Sequence, residues 1–298
     1  MKLTRREILY TAAGGAAVAA ASQRSQLSVE AYIFQQYAAR QKKPLAGVID
    51  EVISFAQQAG FSNIELNQEF FAPPLRDRVL QLLRSNHLSM PSVYVGGAMH
   101  EAKLADATIQ RARETAALCR PFGCKAVVNN PSPKPAGAAK TDEELRIETQ
   151  SLNRMGRALL DEGFQLRVHH HTPEMMNNAR EWRYILDNTN PKYASLCMDL
   201  DWVHQGGQDP LALLREAGTR VTEIHVRNSK DKLWLEAVED GDVDYRKIAA
   251  HFAQAAVYPL IVVELAYRDN TTVTRPLADD LKRSRLYTQQ VFGALLAK

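Results

Sequence analysis

From Val29 onward, short apolar runs of strand character alternate with amphipathic helical stretches, and the unit repeats eight times. Such alternation is the mark of a parallel α/β fold, because a crossover, usually a helix, must carry the chain back before the next parallel strand begins. The strands are placed near Val29, Asn63, Pro91, Lys125, Phe164, Ala194, Val221 and Pro259. One helix presents Val48, Ile49, Val52, Ile53, Ala56 and Ala59 on a single face, with Gly60 positioned to end it. Thr141 and Glu144 have capping-box spacing ahead of a long helix stopped by Gly163, Leu75 to Leu83 form another stripe, and a last helix is expected over 276–296. Residues 22–298 are therefore read as one (β/α)8 barrel domain, near the ~250 residues typical of that fold. An open doubly wound sheet is the structural rival, but no Gly-x-Gly-x-x-Gly follows the first strand.

Residues 1–21 are read as a twin-arginine export signal. Arg5 and Arg6 stand before a weakly apolar Ala/Gly stretch, and Ala19, Ala20 and Ala21 offer a small-residue cleavage site; an ordinary Sec signal or an N-terminal amphipathic helix is the alternative. The expected location is periplasmic or secreted, with no stable membrane insertion once the signal is removed, since no later stretch approaches the ~20 apolar residues of a span. The whole chain carries a formal charge of only +3, much of it in the leader, which gives nucleic-acid binding no support. Cys119, Cys124 and Cys197 are too few for a disulfide scaffold; Cys119 and Cys124 could pair across their turn, but free buried thiols are the preferred reading.

Polar residues recur where the later strands end: His169, His170 and His171 after the fifth, Asp199 on the sixth, His225 on the seventh and Glu264 on the eighth. In a barrel these ends converge on one face, so residues distant in sequence become neighbours. Period-2 alternation puts His169 and His171 on the site-facing side and His170 with the helix-facing Leu166 and Val168. A mixed imidazole and carboxylate set suits one divalent ion such as Mn²⁺, Mg²⁺, Co²⁺ or Zn²⁺. Taken singly, each residue has a plainer role as helix cap or satisfied core group; four at successive strand ends point to a site.

Several segments in order also resemble a known family. They are Ala59-Gly60-Phe61 leading to Ile64-Glu65-Leu66, the run from Gly163 through the histidines to Glu174, and Met198-Asp199-Leu200-Asp201-Trp202 with Gly206-Gly207-Gln208-Asp209-Pro210. Ile224-His225-Val226, Gly241-Asp242-Val243-Asp244-Tyr245 and Val263-Glu264 complete the set. Across the mature length the chain is similar to the sugar phosphate isomerase/epimerase superfamily with the xylose isomerase-like barrel, which includes inosose dehydratases and endonuclease IV. The resemblance implies one divalent metal held by Glu, Asp, His and Glu. Asp199, His225 and Glu264 take three of these places; the first Glu is replaced by His169, and Glu174 is the candidate to reach the metal instead. Arg227 and Asn228 replace a usual Lys-Asp, and Trp202 stands where many members have His.

The expected activity is isomerisation or epimerisation of an unphosphorylated keto sugar through an enediolate, with Glu264, Glu174 and His169 as proton-transfer groups and His171, Trp202 and Arg227 against the substrate. The alternatives are a lyase or dehydratase of keto sugars or 3-keto-glycosides by the same chemistry, and a sugar-binding barrel without turnover. Neither the oligomeric state nor the particular sugar is legible. Replacing Arg5 and Arg6 together by Lys is expected to stop export, read by cell fractionation; unchanged export would assign the leader to another route.

Overall fold

Eight parallel strands close into a barrel: β1 (Leu27–Glu30), β2 (Ile64–Asn67), β3 (Ser92–Tyr94), β4 (Ala126–Asn129), β5 (Gln165–Val168), β6 (Ala194–Asp199), β7 (Val221–Val226) and, last in the chain, β10 (Leu260–Val263). The computed structural model describes residues 24–268 and 271–296, so the leader expected at 1–21 lies outside the described residues. Strand order around the barrel is β1-β10-β7-β6-β5-β4-β3-β2, with β1 and β10 paired in register from Leu27 opposite Ile261. The closed barrel was expected, and closure leaves no sheet edge to protect.

The outer helices are α1 (Tyr32–Arg40), α2 (Ile49–Gln58), α3 (Leu75–Ser85), α4 (Ala102–Cys119), α5 (Asp142–Asp161), α6 (Thr172–Asn188), α7 (Leu200–Gln205), α8 (Pro210–Ala217), α9 (Tyr245–Ala255) and α10 (Leu277–Phe292). The apolar stripe of α2 buries Ile49, Val52, Ile53 and Ala56, and Gly60 turns the chain with φ +84°. The capping box of α5 forms as its spacing predicts: Glu144 N–H donates to Thr141 Oγ1 at 3.2 Å and Thr141 N–H to Glu144 Oε2 at 2.6 Å. Helix α6 is interrupted after its first turn, where Asn177, Asn178 and Ala179 have positive φ. All three cysteines are buried free thiols.

Between β7 and α9 lies an element the alternation does not foretell, a small antiparallel ribbon of β8 (Ser229–Lys230) and β9 (Leu233–Trp234). It stands at the mouth of the barrel, immediately after the strand that carries His225.

Gly156 of α5 allows a close backbone approach in the outer layer. A Cβ there would lie 2.1 Å from the Tyr193 carbonyl oxygen, so the helix rests directly on the turn leading into β6. Gly156→Ala is expected to destabilise the barrel by about 1–3 kcal/mol, the usual range for overpacking, read from a shifted urea midpoint; an unchanged midpoint would mean that this contact yields freely.

Candidate active site

Four side chains from consecutive barrel strands meet where those strands end. His169 follows β5, Asp199 closes β6, His225 lies in β7 and Glu264 follows β10; one donor atom from each lies within 4.8 Å of the others, and all four residues are buried. Register explains the meeting, since Asp199 pairs with His225 across β6 and β7. His225 Nδ1 is 2.6 Å from Glu264 Oε2, and His169 Nε2 is 3.9 Å from the same oxygen. Among the described residues, Glu65, Glu223 and His225 form a second such group and His169, Cys197 and His225 a third.

The chemistry of this donor set fits a divalent cation. His169 Nε2 is buried and has no hydrogen-bond partner, while Nδ1 lies 3.5 Å from Asn130 Oδ1 and 3.4 Å from Tyr94 Oη. A proton on Nδ1 satisfies Asn130 and leaves the Nε2 lone pair facing the cluster, the form of imidazole that binds metal. Burial, then the neighbouring His225, pushes the His169 pKa well down, which favours that neutral ring.

Charge within the site is closely balanced. Arg227, itself buried, donates to Asp199 Oδ2 and to Glu264 Oε1, the latter at 3.0 Å. Burial raises the Asp199 pKa to about 7 despite Arg227. Burial acts on Glu264 in the same sense, but Arg227 and His225 outweigh it and hold the carboxyl well below the usual range. Burial likewise opposes charge on His225, yet Cys197 and then Glu65 push its pKa well up. Asp199 also caps α7 by accepting the Trp202 N–H at 2.9 Å, so one carboxylate starts a helix with Oδ1 and faces Arg227 with Oδ2.

Above the cluster opens a cavity of about 630 Å³, with Glu264 and Arg227 on its floor. Trp202, Trp234 and Tyr94 give it aromatic walls, and Glu30, Asn67 and Glu69 add polar groups. The Arg227 guanidinium lies 4.7 Å from the Trp202 ring and 4.8 Å from that of Trp234, packed against both. Trp234 comes from the ribbon, which Asp201 and Asp242 anchor: Trp234 Nε1 donates to Asp201 Oδ2 at 2.8 Å and Ser229 Oγ to Asp201 Oδ1 at 2.7 Å, while Asp242 accepts the backbone N–H groups of Asp231 and Lys232.

Of the residues expected here, Asp199, His225, Glu264 and His169 are brought together, and His171, Trp202 and Arg227 line or floor the cavity. Glu174 is not brought to them. It sits in the first turn of α6, where Oε2 accepts the His171 backbone N–H at 2.8 Å, and it is absent from every donor group found among the described residues. The reason is local: three residues after a helix start, a carboxylate is drawn to the unpaired N–H groups of that turn. His170 is buried outside the cavity, against His169. Glu30, Trp234 and Glu223 were not foreseen. Glu30 and Glu223 stand at inward-facing strand positions that alternation marks, whereas nothing near Trp234 marks the ribbon.

The chain is thus a closed parallel barrel with a buried imidazole and carboxylate group at its C-terminal mouth. Residues 53–288 match the model of the xylose isomerase-like TIM barrel family, and the chain belongs to that family. Among curated relatives it is 24% identical over 212 residues to an inosose dehydratase of Mesomycoplasma hyopneumoniae (strain 7448), covering 64% of this chain and 69% of the relative. Among solved structures, a D-allulose 3-epimerase from Methylomonas sp. in complex with D-allulose superimposes with TM-score 0.70 at 15% identity, over 91% of this chain and 98% of that one. A xylose isomerase-like TIM barrel protein from Mycobacterium smegmatis in complex with magnesium gives TM-score 0.69 at 14% identity, over 93% and 99%.

Asp201→Ala removes the acceptor of Trp234 Nε1 and the nearer of two acceptors of Ser229 Oγ, which also lies 3.1 Å from Asp242 Oδ2. The variant is expected to lose about 1–3 kcal/mol from stranding buried donors and to red-shift tryptophan emission as the ribbon loosens. Parental emission and stability would show that the ribbon is held by other contacts.

Proposed function

We propose that this chain is a metal-dependent isomerase or epimerase that removes a proton beside the carbonyl of an unphosphorylated keto sugar. The observation that carries the reading is the buried group of His169, Asp199, His225 and Glu264 under a cavity whose lining includes Arg227 as its one cationic side chain. Those four residues would hold the ion, with His169 in the place first assigned to Glu174. Arg227 is already paired with Asp199 and Glu264, so a phosphate dianion would meet no free cation and three carboxyl groups, Glu30, Glu69 and Glu264. Export through the twin-arginine route, which we propose from the leader, agrees with an unphosphorylated substrate.

A bound divalent ion supplies Lewis-acid stabilisation of the negative charge that develops on the substrate oxygens. Glu264 is the base by position, since it reaches the cavity floor; Arg227 and His225 keep its carboxylate ionised and at the same time weaken it as a proton acceptor, so the base acts only as those partners shift toward the bound substrate. A second group for proton return is Glu30 on the same cavity, whose Oε2 accepts the Tyr32 N–H. Burial, with Glu264 and Glu65 nearby, raises its pKa well above the usual value and favours the acid form that donates. Tyr94, Trp202 and Trp234 present apolar faces to a sugar ring and exclude water from the reacting carbons.

A second reading is elimination, with Glu264 removing the proton and Glu30 protonating a departing hydroxyl or glycosidic oxygen. Two points support it: His169 joins the donor group at the place where the family resemblance implies a Glu, and the inosose dehydratase relative matches along 64% of the chain.

Incubation of the Mn²⁺-loaded protein with keto sugars in heavy water separates these readings. Deuterium at the carbon beside the carbonyl with an isomer or epimer as product supports the first, loss of water or of an aglycone the second, and metal-free protein without exchange a binding barrel. Glu264→Gln and His225→Ala are each expected to lower exchange at least about 10²-fold while the circular dichroism spectrum stays parental. Full turnover and metal content in either would remove the proposed site.

A further inference from the structure

Below the four donors, the lumen of the barrel holds a second layer of charge. Glu223 and His225 are two residues apart on β7 and therefore point to the same side. Glu223 is completely buried, and its Oε1 lies 3.3 Å from His225 Nε2. Its other oxygen, Oε2, accepts from Arg167 of β5, and Ser92 Oγ of β3 lies 3.3 Å from Oε1. Strands β3, β5 and β7 are not neighbours in the barrel, so these contacts cross its interior.

We infer that Glu223, clamped by Arg167, is a positioning residue for His225: it takes the Nε2–H of the ring and so aims Nδ1 at the ion and at Glu264. The inference rests on the metal-dependent reading above. His225 Nδ1 faces Glu264 at 2.6 Å, and its opposite nitrogen faces Glu223. An imidazole held at both nitrogens cannot turn about its ring bond, and an anionic acceptor on the N–H side makes the other nitrogen a stronger ligand.

Glu65 shares the position without sharing the role. Its Oε1 is 3.1 Å from His225 Nε2 but makes no aligned hydrogen bond, and its Oε2 accepts from Ser92. Glu65, Glu223 and His225 together also resemble a second metal-binding triple. Arg167 compensates charge on Glu223 as Arg227 does on Asp199 and Glu264, so the two groups are told apart by the number of ions bound and by which substitution removes one.

The test uses the full chain, Co²⁺ as the probe, and two readouts. Co²⁺ affinity is measured by chelator competition with the visible spectrum of the bound ion, and the ring N–H of His225 is observed by ¹H–¹⁵N NMR in metal-free protein. The parent is expected to bind one Co²⁺ per chain and to show a strongly downfield Nε2–H. Glu223→Gln keeps shape but loses charge; it is expected to bind Co²⁺ about 10–100-fold more weakly, with a changed visible band and an upfield-shifted ring proton. Arg167→Gln acts from the far end of the clamp and is expected to move all three in the same direction by less, which keeps the test open should Glu223→Gln fail to fold. Parental affinity, band and ring proton in a folded Glu223→Gln chain would overturn the inference, as would two Co²⁺ per parent chain with one lost in the variant. A parent that binds no Co²⁺ removes the metal reading instead, and the ring proton alone then decides whether Glu223 holds His225.

Discussion

Charge buried in the lumen of the barrel is the constraint on which the rest of this structure depends. An ionised carboxylate or guanidinium removed from water is costly unless partners surround it. Here the partners form a continuous line: Arg167 on Glu223, Glu223 on His225, His225 on Glu264, and Glu264 and Asp199 on Arg227. Each contact joins residues from different strands or from the two layers of one strand. The closure and stagger of the barrel are therefore what keep these charges compensated. The same line sets the electrostatics of the site: Arg227 and His225 hold the Glu264 pKa well below its usual value, the groups around His225 push its pKa well up, and burial raises that of Asp199 to about 7.

At the mouth, the same residues pass from structure to function. Asp199 caps α7 with one oxygen and faces the site with the other. Arg227 is balanced by two carboxylates, packs against two indole rings, and lends its backbone carbonyl to the Tyr245 hydroxyl. The ribbon that brings Trp234 is tied to Asp201, two residues beyond Asp199. Site floor, aromatic wall and ribbon thus hang from two short segments, one at the end of β6 and one after β7.

Much of this was legible in sequence. Eight strand and helix units could be placed because helix and strand periodicities differ and because glycines such as Gly60 and Gly163, both at positive φ, end helices where they should. Asp199, His225 and Glu264 were legible because each follows or closes an apolar strand. Glu174 was misplaced toward the site because family spacing suggested reach, whereas the first turn of α6 had a prior use for its carboxylate. Glu223 was overlooked although it shares a face with His225, because its partner Arg167 is 56 residues away in sequence. Trp234 sits on a ribbon too short to have a period.

By itself, then, the sequence determined the α/β alternation, the eight-unit count and the side of each strand that faces inward, since all three are local properties of spacing and side-chain polarity. Tertiary structure alone decided which inward-facing groups meet: that His169 rather than Glu174 joins Asp199, His225 and Glu264, that Arg167 reaches Glu223 across the lumen, and that Asp201 brings Trp234 over the cavity. The physical reason is that these contacts depend on barrel closure and strand register. Closure and register are satisfied by the whole ring of strands at once, and no single segment of the chain encodes them.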